Sequence, residues 1–205
     1  MTSSLWRGAL PLLLASTSPT RRGLLDGAGL AVETENPGVD ERAVEAEAAG
    51  LAPDDLARRL AEAKAGAVAA RRPSRVVVGA DQVLACDGTL FHKPADPAAA
   101  RDQIGRLAGR THALHSAVAL AIDGGVVETF VETARLTMRP LTAAQIAAYV
   151  DGAGPDTIRS SVGGYQLEGL GIHLFSAIAG DHSTILGLPL LPLLARLRAR
   201  GLLGF

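Results

Sequence analysis

Leu10-Pro11-Leu12-Leu13-Leu14-Ala15-Ser16-Thr17-Ser18-Pro19-Thr20-Arg21-Arg22-Gly23-Leu24-Leu25 is the stretch on which the reading of the fold turns. A short apolar run bounded by a Ser/Thr/Pro cluster reads as a buried strand, and Ser18 before Pro19 reads as an N-cap and first helical residue. The stretch is strand, turn, helix. Orphan amides and the positive end of the dipole make such a helix start attractive to anions. The hydroxyls of Ser16, Thr17 and Ser18 and the guanidinium groups of Arg21 and Arg22 are expected to converge there. Taken alone, the same residues equally describe an ordinary capped helix with two solvated arginines.

Outward from this stretch, the pattern alternates at first. Leu30 to Thr34 is a short strand candidate, and Val39-Asp40-Glu41 follows the loop signal Asn36-Pro37-Gly38. Pro53 to Ala70 is a long helix that opens with Asp54 and Asp55 and carries Lys64. Val76 to Val78 is a β-branched run typical of a strand buried on both faces, expected to end in Gly79-Ala80-Asp81. Asp87-Gly88, between Val83–Cys86 and Thr89–Phe91, predicts a hairpin, as does Asp123-Gly124-Gly125 between Thr111–Ile122 and Val126–Met138. Asp96-Pro97 opens a helix to about Leu107, and Thr142 with Gln145 makes a capping box for one ending near Val150. Gly152 to Gly171 reads as a long loop, and Leu188 to Arg200 as a closing helix. The fold class is α/β, a mixed sheet with flanking helices over 1–205 as a single domain, with an antiparallel excursion and no clear linker.

Composition narrows the function. Lys and Arg total 20 against 21 Asp and Glu, a formal charge of -1, so no global field draws in nucleic acid polymers or membranes. Any anion must be held by local clusters. Aromatic residues make up 3% within a chain that is 48% apolar, so the core is built from Leu, Val, Ile and Ala. One cysteine, Cys86, excludes an internal disulfide and fits a reducing cytosol. Arg7 followed by Ala9 to Ala15 loosely imitates a secretory signal, but Pro11 and the directly following arginine helix argue against it, and the expected location is the cytoplasm. Of the five histidines, His112 and His115 are three apart on a strand and face opposite sides, so they cannot share a metal.

The charges at element ends suggest chemistry. Alone, Asp81 is equally a turn aspartate, and Lys93 before Pro94 a solvated loop lysine. In combination, Arg21, Arg22, Lys64 and Lys93 offer positive charge for a polyphosphate, whereas Glu41, Asp81 and Glu168 offer oxygens for a hard metal ion and for water activation. Cleaving a phosphoanhydride needs both halves.

Several motifs, in order, resemble the Maf family of nucleoside triphosphate pyrophosphatases. They are Leu14 to Leu25, Gly38 to Glu41, Leu60 to Ala65, Gly79 to Val83 with Asp87-Gly88 and Lys93-Pro94, Leu107 to His112, Gly164 to Gly169, Gly180-Asp181 and Gly187 to Pro189. The resemblance implies an inosine-triphosphatase-like fold of two lobes around a central cleft, a divalent cation (magnesium, manganese or cobalt) and, commonly, a homodimer. It also implies hydrolysis of a nucleoside triphosphate substrate to the monophosphate and pyrophosphate, by water attack at the α-phosphorus. By matched position, Asp81 would be the catalytic acid/base residue, Glu41 and Asp81 the metal ligands, and Ser16, Arg21, Arg22, Lys64 and Lys93 the phosphate-binding residues. Where the branch specific for thymidine and uridine triphosphates has Arg, Thr and Gln, this chain has Thr20, Gln82 and Glu168. Gln82 and Glu168 are more similar to the 7-methylguanosine triphosphate branch, while Thr20 departs from the aromatic usual there. A regulator of cell division that binds nucleotide without turnover is the alternative function the same resemblance allows.

Overall fold

The computed structural model describes residues 5–205, so the first four residues of the 1–205 span lie outside the description. Strand β1 (Leu12–Ala15) leads into helix α1 (Pro19–Gly27), then β2 (Val32–Thr34), α2 (Glu41–Glu47), α3 (Pro53–Arg71) and β3 (Val77–Cys86). Next come β4 (Thr89–Phe91), α4 (Pro97–Leu107), β5 (Thr111–Ile122), β6 (Gly125–Met138) and α5 (Ala143–Ser160). A 3-10 turn (Leu170–Leu174), β7 (Phe175–Ala179), α6 (His182–Ile185) and α7 (Leu190–Ala199) complete the chain. The strands form one mixed seven-stranded sheet, ordered β2-β1-β3-β5-β6-β7, with β4 paired to β3.

The described residues form two compact units. The first holds the chain up to Asp81 with Ser116–Glu132 and Asp181–Phe205, and the second holds Gln82–His115 with Thr133–Gly180.

In the first unit β1 lies between β2 and β3 and runs parallel to both, with Leu12 opposite Val32 and Ala15 opposite Gly79. The connection through α1 leaves to one side of β1 and that through α3 arrives on the other, so β1 is a topological switch point. In open sheets of this kind ligands bind beyond the strand carboxyl ends at such a point. Alternation gives each face its own packing. Leu12, Leu14, Val78, Ala80, Val118 and Leu120 share a core with Leu25 of α1 and Leu193 and Leu197 of α7. The opposite face meets α3, whose buried stripe includes Ala57, Ala61, Ala65 and Val68.

In the second unit α4 packs on α5, burying Ile104 and Leu107 with Ile146, Tyr149 and Val150. The Thr142–Gln145 capping box is present.

Local signals are realised closely, and three expectations are corrected. The strand expected to end at Asp81 does not end: β3 is continuous from Val77 to Cys86 because both faces are covered along it, so Asp81 is a mid-strand residue. Glu41 is not in a loop, since Asp40 caps α2 by accepting from the Ala43 amide and Glu41 opens the helix. The loop expected over Gly152 to Gly171 is helical as far as Ser160: Gly154, at φ 77°, breaks α5, and Pro155 starts a second helical segment.

Candidate active site

The turn after β1 is self-organised. Ser16 Oγ accepts from the Ser18 amide at 3.1 Å and Ser18 Oγ caps α1 by accepting from the Arg21 amide at 3.3 Å. The first turn of α1 holds no acidic residue, so its positive end is not neutralised from within the helix. Register places this turn beside the functional part of β3. Ala15 pairs with Gly79, so the residues after Ala15 come level with Ala80 and Asp81.

Gly79 and Asp81 are two apart on a strand and share a face. A Cβ at Gly79 would stand 2.6 Å from Ala65 N and 2.8 Å from Ala65 Cβ. The space a side chain at Gly79 would take is filled by α3. This close approach brings Lys64 onto Asp81, with Nζ donating to Oδ1 at 2.5 Å. The same Nζ lies 2.7 Å from Glu41 Oε1. Lys64 and Asp81 side chains are 7% and 9% exposed, whereas Glu41 is 54% exposed. One ammonium thus bridges a buried and an open carboxylate. A buried lysine is tolerated because it is paired.

Arg21 approaches the same cluster. Its Nε donates to Gly187 O at 2.8 Å and its Nη1 to Ala80 O at 3.0 Å. Burial lowers its pKa, and the Asp81 and Glu41 charges oppose that shift. Arg22 goes elsewhere. Its Nε lies 3.3 Å from Asp26 one turn on, with the side chain about half exposed, so the expected convergence of the two arginines fails. Consecutive helical residues point about 100° apart, which directs the two side chains to different sides of α1. Thr20, the residue before Arg21, is half-buried.

In the second unit Gln82 is half-buried on β3, while Lys93 and Glu168 are exposed. The segments carrying Lys93 and Glu168 are packed together: Gly164 has φ 70°, and a Cβ there would lie 3.2 Å from Pro94 Cγ. Four side chains pin the segment before Glu168. Gln103 donates to Val162 O at 2.6 Å, Tyr149 donates to Gly164 O at 3.2 Å, and Ser161 Oγ accepts from the Tyr165 amide at 3.1 Å. His112 Nε2 meets Tyr165 Oη at 2.6 Å. Phe175 packs edge-to-face on Tyr165 and at a tilt to His112, with ring centres 4.8 Å and 5.9 Å away. Burial drives the His112 pKa down to about 4 and raises that of Tyr165. In the sequence His112 is marked only by its place in the Leu107 to His112 motif. Its partner, 53 residues away, leaves no local signal.

Among the described residues no group of three or more His, Cys, Asp or Glu could hold a metal ion by itself. Cys86 is buried in its hairpin, its Sγ 3.6 Å from Thr111 O. A cavity of about 680 Å³ lies away from this cluster, beside Leu10, Glu33, Glu35, Arg72 and Arg75, and holds none of the expected site residues. No helix among the described residues is long and apolar enough to cross a membrane.

The first unit is therefore an α/β unit whose switch point presents an unneutralised helix start beside a buried lysine–carboxylate cluster. The family model described as Maf-like protein matches residues 11–200, and the chain belongs to that family. A nucleoside triphosphate pyrophosphatase of Nitrobacter winogradskyi is 54% identical over 201 residues, covering 98% of this chain and 99% of its own. A 7-methyl-GTP pyrophosphatase of Brucella abortus biovar 1 is 51% identical over 189 residues, covering 91% of this chain and 94% of its own. A solved nucleoside-triphosphatase / dITP/XTP pyrophosphatase of Mycobacterium abscessus aligns over 94% of this chain and 96% of its own, at 18% identity and a TM-score of 0.44.

Proposed function

We propose that the chain hydrolyses a nucleoside triphosphate to the monophosphate and pyrophosphate. The names of its close relatives support this reading. The observation that carries it is Lys64 Nζ seated between Asp81 and Glu41, next to the helix start that follows β1. The α1 amides and Ser16 are suited to phosphate oxygens, and Lys64 supplies positive charge against the triphosphate. Asp81, whose Oδ1 is held by Lys64, accepts a proton from the attacking water. The water oxygen bonds to the α-phosphorus, the bond from that phosphorus to the α–β bridging oxygen breaks, and pyrophosphate leaves with the electron pair.

The family implies a divalent cation, and the residues fit one. Asp81 and Glu41 are hard oxygen donors, each with one oxygen on Lys64 and one remaining, and an ion of magnesium's kind takes one or two carboxylates together with substrate phosphates. When bound, it would supply charge neutralisation at the phosphates.

For the base, a modified or non-standard nucleotide such as 7-methyl-GTP is our reading, with Thr20, Gln82 and Glu168 as the residues that set preference. A carboxylate at 168 only accepts hydrogen bonds and favours a cationic or donor-rich base edge. Lys93 is assigned to the phosphates by its match to the family motif.

The test is a panel of standard and methylated triphosphates with magnesium, manganese and cobalt, with the products identified. Pyrophosphate release by the native chain and a loss of about 100-fold or more in Asp81→Asn, with affinity for a non-hydrolysable analogue kept, is the expected result. Orthophosphate as product, or native turnover in the variant, refutes it. Binding without any product supports the regulator reading instead.

A further inference from the structure

We infer that Arg21 is a positioning residue that holds the Ala80–Asp81 peptide in place, so that its contribution appears in turnover more than in triphosphate affinity. The inference rests on Asp81 acting as the base, and the geometry supplies the rest. Val76 O accepts from the Leu13 amide at 3.0 Å, which puts the carbonyls of β3 at positions 76, 78 and 80 on the side of β1 by alternation. The pairing of β1 with β3 ends at Ala15 opposite Gly79, so β1 offers no amide to Ala80 O. Arg21 Nη1 donates to that carbonyl at 3.0 Å and stands in for the missing strand partner at the peptide that carries Asp81.

The guanidinium is also anchored at its other side. Nε donates to Gly187 O at 2.8 Å, and Gly187 sits at φ 88°, where a Cβ would be strained and would crowd Nε and Nη2 at 3.3 Å. Arg21 thus ties α1, β3 and the turn before α7 together. Two of its donor nitrogens are committed before any substrate arrives. Arg22, by contrast, pairs with Asp26 on the exposed face of α1. A planar fork with several donors is the side chain that can serve two carbonyls in different directions, and a lysine at the same position keeps the charge but loses the fork.

The experiment compares native chain and Arg21→Lys by kcat, KM, affinity for a non-hydrolysable triphosphate analogue and backbone amide exchange over residues 80–82. Expected is a kcat loss of about tenfold or more, in line with the sensitivity of positioned groups to small displacements. Analogue affinity should stay within about threefold, and amide exchange across 80–82 should be faster. A rise in KM and analogue dissociation constant that equals or exceeds the loss in kcat overturns the inference and makes Arg21 a phosphate ligand. Unchanged kcat with unchanged exchange overturns it equally. Should Arg21→Lys fail to fold, Gly187→Ala tests the same point by crowding the anchored side, with the same expected split. Failure of the base reading is separable: it shows as native turnover in Asp81→Asn, while the exchange result in Arg21→Lys reports on the peptide regardless.

Discussion

The buried imidazole of His112 makes the stability of the chain dependent on pH in a calculable way. The residue is 1% exposed, its Nδ1 has no hydrogen-bond partner among the described residues, and burial is the cause that lowers its pKa from 6.5 to about 4. Between these values the unfolded chain binds a proton that the native chain refuses, so stability rises with pH across that window. It is fully present above pH 6.5 and lost progressively as pH falls toward 4. One pKa unit corresponds to about 1.4 kcal/mol, so the full loss is about 3 kcal/mol, of which about 2 kcal/mol has gone by pH 5. Glu35 and Asp181 have lowered pKa values and also contribute in acid, but their loss begins only below about pH 4.5. Urea unfolding at pH 7.5, 6.5, 5.5 and 5.0 therefore isolates the histidine. Because the urea slope is about 1–3 kcal/mol per molar, the midpoint should fall by about 1 M between the extremes. His112→Asn, which keeps a polar group toward Tyr165 but cannot charge, should flatten that dependence. A native midpoint constant to pH 5, or an equal slope in the variant, refutes the argument.

Gly79→Ala should push α3 from β3, at a cost of about 1–3 kcal/mol for overpacking, and lower turnover by separating Lys64 from Asp81; thermal melting and kcat check the two effects together. Lys64→Met should cost about 3–5 kcal/mol by leaving the Asp81 charge buried and unpaired, and the added change Asp81→Asn should recover much of that loss in a double-mutant cycle. Glu41→Gln should raise the magnesium concentration needed for half-maximal turnover by about tenfold while leaving the melting temperature within a few degrees, because Glu41 is the open member of the cluster; an unchanged metal requirement removes Glu41 from the ligand set.

The parts of the fold legible in the sequence are those fixed by local chemistry. Ser18-Pro19 caps and opens α1, Asp96 caps α4, and Thr142 with Gln145 boxes α5, each through a hydrogen bond within three residues. Asp87-Gly88 and Asp123-Gly124 adopt the positive φ values their hairpins demand. What long-range packing decides was hidden. Gly79-Ala80-Asp81 is poor strand sequence, and only the cover on both faces carries β3 through it. β7, with Phe175 to Ala179, is followed by the turn pair Gly180-Asp181, but its short run with Ser176 and two alanines is weak strand sequence. The site divides in the same way. The residue types at Glu41, Lys64 and Asp81 were readable, but their meeting on a single ammonium depends on the α3–β3 approach. The split between Arg21 and Arg22 was available from helical geometry alone, whereas the two carbonyls that occupy Arg21 were not.

The glycine on β3 and the alanines opposite it on α3 have an implication for altering this enzyme family by design. Residues with no functional group act here as spacers, setting the gap between an ammonium and a carboxylate. Libraries that vary only the polar lining would sample functional groups at a fixed gap, while exchanges among Gly79, Ala61 and Ala65 would change the gap between the same functional groups.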